Sequence, residues 1–119
     1  GQAVITTGGN LPAKYVIHTV GPVWHGGIQG EDKLLASAYR ESLKLATERG
    51  LKSISFPAIS TGAYGYPVDE ASKIAVSTVI SFLKEQTTSL KDVVFVLFDS
   101  RTYQSYRSAL QVYLDRLEA

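Results

Sequence analysis

Hydrophobic positions along this chain switch between two spacings, and each switch predicts an element. Residues 3–6 (Ala3, Val4, Ile5, Thr6) and 15–20 (Tyr15, Val16, Ile17, His18, Thr19, Val20) are short β-branched and aromatic runs, which predict strands. The turn-rich stretch between them, residues 7–14, is shorter than the dozen or so residues of a parallel crossover, so the pair is expected to be antiparallel. Over residues 31–49, Leu34, Leu35, Ala38, Tyr39, Leu45 and Ala46 recur at helical spacing, with Ser42 inside the stripe and Gly50 just past the end. Residues 53–57 predict a short third strand. Residues 68–84 predict a second helix, with Ala71, Ile74, Ala75, Val79, Phe82 and Leu83 recurring at helical spacing. The unbroken apolar run 93–98 predicts a strand covered on both faces. A last helix over about 101–117 is expected to start from Asp99 or Ser100 as cap and to bury Tyr103, Tyr106, Leu110, Tyr113, Leu114 and Leu117, with Ser105 on its outer face. Strands alternating with helices predict an α/β fold with a largely parallel sheet, in one domain over residues 1–119.

Composition narrows the chemistry. The 119 residues include 12 basic and 11 acidic side chains, with no basic tract or basic helix face, so direct nucleic-acid binding is not expected. There is no cysteine, which removes thiolate nucleophiles, disulfides and Cys-type zinc sites, and two histidines are too few for a His-rich metal site. Neither a metal nor a cofactor is expected. No apolar run approaches the ~20 residues of a membrane span, and a reducing, cytoplasmic setting is the default expectation.

The segment from Phe56-Pro57 through Ser60-Thr61-Gly62-Ala63-Tyr64-Gly65 to Tyr66-Pro67 joins the end of a strand to the start of a helix. Open α/β sheets bind ligands at such places. Helix N-termini leave backbone N–H groups unpaired, and the helix dipole favours an anion there. Gly62 and Gly65 allow a turn and a close backbone approach. Ser60 and Thr61 add hydroxyls, Tyr64 and Tyr66 could cover a sugar or base, and Pro67 suits the first helical turn. The plainer reading of the same residues is a tight turn with two packed tyrosines. There is no P-loop lysine and no G-x-G-x-x-G, so neither triphosphate hydrolysis nor a nicotinamide dinucleotide site is expected.

Other polar residues read as structural. His18 is expected to be a hydrogen-bonded structural histidine, and His25 a solvated loop residue. Glu31, Asp32, Asp69 and Glu70 read as first-turn helix charges, and Asp99 as a cap rather than a catalytic acid. Tyr103, Tyr106 and Tyr113 read as core. Trp24, after Gly21-Pro22, either lines the crevice or covers the core edge. No catalytic residue is assigned.

The runs Tyr15-Val16-Ile17-His18-Thr19-Val20-Gly21-Pro22-Val23-Trp24 and Phe56-Pro57-Ala58-Ile59-Ser60-Thr61-Gly62-Ala63-Tyr64-Gly65-Tyr66-Pro67 resemble the macro domain family, as does the opening Gly1-Gln2-Ala3-Val4-Ile5-Thr6. They are most similar to its bacterial branch of ADP-ribosyl hydrolases and O-acetyl-ADP-ribose deacetylases. The resemblance implies a three-layer α/β/α fold with a mixed, mostly parallel sheet. It implies that Ser60, Thr61, Gly62, Ala63, Tyr64 and Gly65 wrap the diphosphate of ADP-ribose, that Tyr64 flanks the ribose, and that Phe98 lies beside the adenine. It implies ADP-ribose or an ADP-ribosylated protein as partner, and hydrolysis of ADP-ribose esters by the intact domain. A non-catalytic reader of ADP-ribosylated proteins and an inactive fragment are the alternatives. Family members begin with a further segment that holds an adenine-reading Asp and an Asn- and Gly-rich catalytic loop. On that comparison the chain is expected to be the C-terminal portion of the domain. A strand of that segment would lie between strands 15–20 and 53–57, leaving a gap for a complementing or swapped chain.

Overall fold

A computed structural model describes residues 1–118. The element order is β1 (Ala3–Thr7), β2 (Tyr15–Thr19), α1 (Glu31–Glu48), β3 (Ser53–Phe56), α2 (Val68–Glu85), β4 (Asp92–Phe95) and α3 (Ser100–Glu118). β1 and β2 pair antiparallel, with Ala3 opposite Thr19 and Thr7 opposite Tyr15. The Gly8 N–H donates to the Lys14 carbonyl at 2.9 Å and closes the connection. His18 Nε2 lies 2.9 Å from Thr6 Oγ1, so it is hydrogen-bonded as expected, on an exposed face. β3 and β4 pair parallel, with Phe56 opposite Phe95, and α2 is their crossover.

The α/β class and the mixture of parallel and antiparallel pairing are those expected. The strands, however, form two separate two-stranded sheets. An open trough of about 1680 Å³ lies between the two pairs, lined by Tyr15, Ile17 and Thr19 on one side and Ile54, Phe56 and Val94 on the other. It occupies the place where the resemblance implies another strand.

The core forms where the helices meet β3 and β4. α1 contributes Leu35, Ala38, Tyr39, Leu43 and Ala46, and α2 contributes Ala71, Ala75, Val76, Val79 and Phe82. Each large aliphatic or aromatic side chain fully buried there contributes about 1.5–3 kcal/mol. α2 packs against both α1 and α3. The left-handed Gly50, with φ 66°, ends α1 and donates its N–H to Thr47 at 3.0 Å. Pro67 is the cap residue of α2 itself, one position before the first turn.

Several expected core positions are not buried. β4 ends at Phe95, and Val94, Val96 and Phe98 are exposed while Val93 and Phe95 pack inward. Strand alternation explains this: helices of the described chain cover one face of the β3–β4 pair, so the run 93–98 is not covered on both. On α3 the inward line is Thr102, Tyr106, Ala109 and Tyr113, spaced four, three and four. Tyr103 is 50% exposed, and Leu110 and Leu114 also face outward, as does Leu34 on α1. Ser105 is not a free outer position, because its hydroxyl donates to Asp69 Oδ1 at 2.6 Å. The burial expected at Leu117 falls outside the described side chains. Asp99, rather than Ser100, caps α3: Oδ1 accepts from the Thr102 N–H at 2.8 Å and Oδ2 from the Thr102 hydroxyl at 3.1 Å. Those bonds hold the Asp99 carboxyl below its ordinary pKa.

Glu31 is not a solvated first-turn charge. It has no exposed surface. Its Oε2 accepts the N–H groups of His25 at 2.9 Å and Gly27 at 2.8 Å, and Oε1 accepts that of Gln29 at 2.6 Å. The exposed turn 25–30 is thus folded around one carboxylate at the start of α1. Burial pushes the Glu31 pKa up, but the backbone N–H groups of His25, Gly27, Gln29 and Glu31 itself together outweigh it and lower it from 4.5 to about 2.

A folded-state pKa below the unfolded value makes this stabilisation complete above pH 4.5 and lost as pH falls toward about 2. Glu31→Gln should melt below the parent at pH 7 and show a flatter fall of Tm across that acid window. Parallel Tm profiles for variant and parent would show that these bonds do not govern the Glu31 proton.

Candidate functional site

The loop that leaves β3 and enters α2 is shaped by its own short hydrogen bonds. The Ala58 carbonyl accepts both the Thr61 N–H at 3.3 Å and the Thr61 hydroxyl at 2.9 Å. The Gly65 N–H donates to Gly62 at 3.0 Å, and the Tyr66 N–H reaches back to Ser60 at 2.9 Å. Gly65 sits at φ 72°, where its lack of a Cβ is needed. Ser60 also has a left-handed backbone, with φ 67°. Such a conformation costs a non-glycine residue about 1–3 kcal/mol and persists only where the surroundings enforce it. Gly62 has no such constraint: a Cβ there would meet nothing within 4 Å.

This bonding uses the N–H groups of Thr61, Gly65 and Tyr66. The N–H groups of Gly62, Ala63 and Tyr64 have no acceptor among the described residues. They lie in an exposed stretch that leads into α2, where the helix dipole adds positive potential. The Ser60 hydroxyl is buried and also without a partner.

Three surrounding segments enforce the shape. From α1, the Tyr39 hydroxyl donates to the Pro57 carbonyl at 3.3 Å and accepts the Ile59 N–H at 3.3 Å. Burial drives the Tyr39 pKa well above its ordinary value, so the phenol stays neutral. From the end of β2, Gly21 lies against Ser60, where a Cβ would collide with Ser60 Oγ and Ile59 Cγ2. From the next turn, the Trp24 N–H donates to the Tyr64 carbonyl at 2.9 Å. The Trp24 ring packs on Tyr66, with centroids 4.6 Å apart. Trp24 therefore covers the core edge, and its backbone braces the loop.

Ser60, Thr61, Gly62, Ala63, Tyr64 and Gly65 are thus brought together in one loop. Tyr66 is not available to cover a ligand, because it is buried beneath Trp24, whereas Tyr64 is exposed. Phe98 is 90% exposed. β3 and β4 are parallel neighbours, so Phe98, just past β4, rises from the same sheet edge as the 60–65 loop. Glu31 and Tyr39 were not singled out by the sequence as site-shaping residues. The Gly-rich turn before Glu31 was a usable signal for the first; Tyr39 shows only as a core position. Among the described residues, no group of His, Cys, Asp or Glu is placed to hold a metal ion.

Tyr39→Phe keeps the ring and removes the hydroxyl, leaving the Ile59 N–H without its acceptor. A urea titration should show a loss of about 1–3 kcal/mol, the cost of an unsatisfied buried group. Unchanged stability would mean that the phenol does not hold the loop's entrance.

Comparison with known proteins places these features in a family. The family model described as Macro domain matches residues 1–75. A macro domain-containing protein of Caldanaerobacter subterraneus subsp. tengcongensis is 58% identical over 111 residues, which cover 93% of this chain and 62% of that protein. A protein of Klebsiella pneumoniae named O-acetyl-ADP-ribose deacetylase is 56% identical over 113 residues, covering 95% of this chain and 64% of that one. The Oceanobacillus iheyensis macrodomain solved with ADP superimposes with a TM-score of 0.89 at 44% identity, covering 97% of this chain and 60% of its own. The Trypanosoma brucei macrodomain in complex with ADP-ribose gives a TM-score of 0.82 at 39% identity, covering 91% and 44%. The chain spans less than two thirds of the length of each of these relatives. By the matched family model, these identities and the shared fold, the chain belongs to the macro domain family.

Proposed function

We propose that this chain binds ADP-ribose, with the diphosphate held by the backbone of Ser60, Thr61, Gly62, Ala63, Tyr64 and Gly65, the ribose beside Tyr64, and the adenine beside Phe98. The observation that carries the reading is the set of N–H groups at Gly62, Ala63 and Tyr64, which the loop's own bonding leaves without acceptors at the start of α2. A diphosphate supplies acceptor oxygens and the negative charge that a helix N-terminus favours. Asp69 and Glu70 in the first turn offer a rival charge, but the Ser105 hydroxyl engages the Asp69 carboxylate from α3. The relatives solved with ADP and with ADP-ribose support the choice of ligand.

For a polypeptide of the relatives' full length we propose hydrolysis of an ADP-ribose ester, in keeping with the relative named O-acetyl-ADP-ribose deacetylase. Water adds across the ester bond, and ADP-ribose and a carboxylic acid leave. The 60–65 loop contains hydroxyls, amides and one phenol, with no carboxylate or imidazole. Its part is to bind and orient the substrate, and it forms no covalent intermediate.

Gly62 gives the cleanest test, because a side chain there has room and the fold should tolerate it. Gly62→Glu places a like charge where the diphosphate would sit. Lys44→Glu, on the exposed side of α1, is the control. Calorimetry would use the chain alone and the chain fused behind the N-terminal segment of the Caldanaerobacter relative. Gly62→Glu should weaken ADP-ribose binding at least tenfold with little change in Tm, and Lys44→Glu should change neither. Equal affinity in Gly62→Glu and parent would remove the diphosphate assignment.

A further inference from the structure

We infer that Glu31 is a positioning residue for the 60–65 loop, acting through the 25–30 turn and Trp24; the inference rests on that loop being the ADP-ribose site. Gly26, Gly27 and Gly30 take left-handed backbone angles of 85°, 84° and 75°. Residues 25–30 are all exposed, so little packing defines their path. Their shape comes from the buried Glu31 carboxylate, which gathers the N–H groups of His25, Gly27 and Gln29 on its two oxygens. That path seats Gly27 against the Trp24 ring, so closely that a Cβ on Gly27 would stand 2.8 Å from Trp24 Cη2.

Trp24 in turn holds the loop. Its N–H bond to the Tyr64 carbonyl is the one backbone bond, among the described residues, that ties residues 61–65 to another part of the chain. The other bonds of that stretch are internal, from Thr61 to Ala58 and from Gly65 to Gly62. The connection therefore runs from a carboxylate at the start of α1, through one glycine-rich turn and one indole, to the peptide beside the free N–H groups. Glu31 touches no ligand in this account. It keeps Tyr64 and its neighbours in the arrangement that a diphosphate meets, and preorganised donors bind more tightly than donors that must first be ordered.

The test compares Glu31→Ala with Val79→Ala, a core truncation about three turns along α2. Glu31→Gln, which keeps one acceptor oxygen and the side-chain length, guards against a variant that does not fold. Hydrogen exchange is read first, without ligand. The Trp24 and Gly65 amides should exchange at least tenfold faster in Glu31→Ala than in Val79→Ala, with Glu31→Gln between them. ADP-ribose affinity is then measured for the chain and for its N-terminally extended form. Kd should rise at least tenfold for Glu31→Ala, by less for Glu31→Gln, and should be unchanged for Val79→Ala, although all three lower Tm. Equal exchange in Glu31→Ala and Val79→Ala overturns the coupling. Faster exchange with an unchanged Kd overturns the positioning role. If neither parent form binds ADP-ribose, the assignment of the ligand fails and the positioning role fails with it, while the exchange data still decide the Glu31–Trp24 coupling.

Discussion

The Tyr39 side chain joins the hydrophobic core to the loop that the core must shape. Its ring lies edge-on to Phe56 at 5.0 Å and to Phe95 at 6.1 Å, so it packs on both strands of the parallel pair. Its hydroxyl passes beyond those rings to the backbone at Pro57 and Ile59, where β3 has ended and the loop begins. Apolar packing is non-directional and by itself leaves a loop free to wander, whereas a buried phenol has to find partners and so fixes where the backbone goes. Core and site are in this way parts of one arrangement.

The same constraint, that buried polar groups must be paired, shapes the rest of the sheet edge. Glu31 is paired by three amides and Tyr39 by the entrance of the loop. The Ser60 hydroxyl is the buried exception, and beside it the exposed N–H groups of Gly62, Ala63 and Tyr64 have no protein acceptor among the described residues. The strained backbone of Ser60 belongs to the same picture, because Gly21, Tyr39 and Trp24 together hold the loop in a form it would not otherwise keep.

Much of this was legible in the sequence. The stripes of α1 and α2, apart from the exposed Leu34 and Leu83, the antiparallel β1–β2 pair and the parallel crossover through α2 follow from periodicity and connection length. The loop announced itself through Gly62, Gly65 and its place between a strand and a helix. The errors have physical causes. Thr102 and Ala109 line the inner face of α3 but carry a weak apolar signal, while the outward Tyr103, Leu110 and Leu114 carry a strong one. Val94 and Val96 read as doubly covered because an apolar run does not say which of its faces meets a neighbour. Of the two readings open for Tyr66, ligand cover and packing, the structure has packing, because Trp24 lies on its ring. Glu31 looked like any acidic first-turn residue, and only the glycine-rich turn before it hinted that the chain would fold back around its carboxylate.

The central claim is that the free amides of this loop are donors to a diphosphate. Amide chemical shifts during a titration of the isotope-labelled, N-terminally extended chain, first with ADP-ribose and then with inorganic pyrophosphate, test it most directly. The account predicts that the Gly62, Ala63 and Tyr64 amide protons move downfield and saturate with both ligands, with pyrophosphate the weaker, while amides along the exposed side of α1 stay still. Shifts confined to other segments, or a loop that does not respond to either ligand, would contradict it.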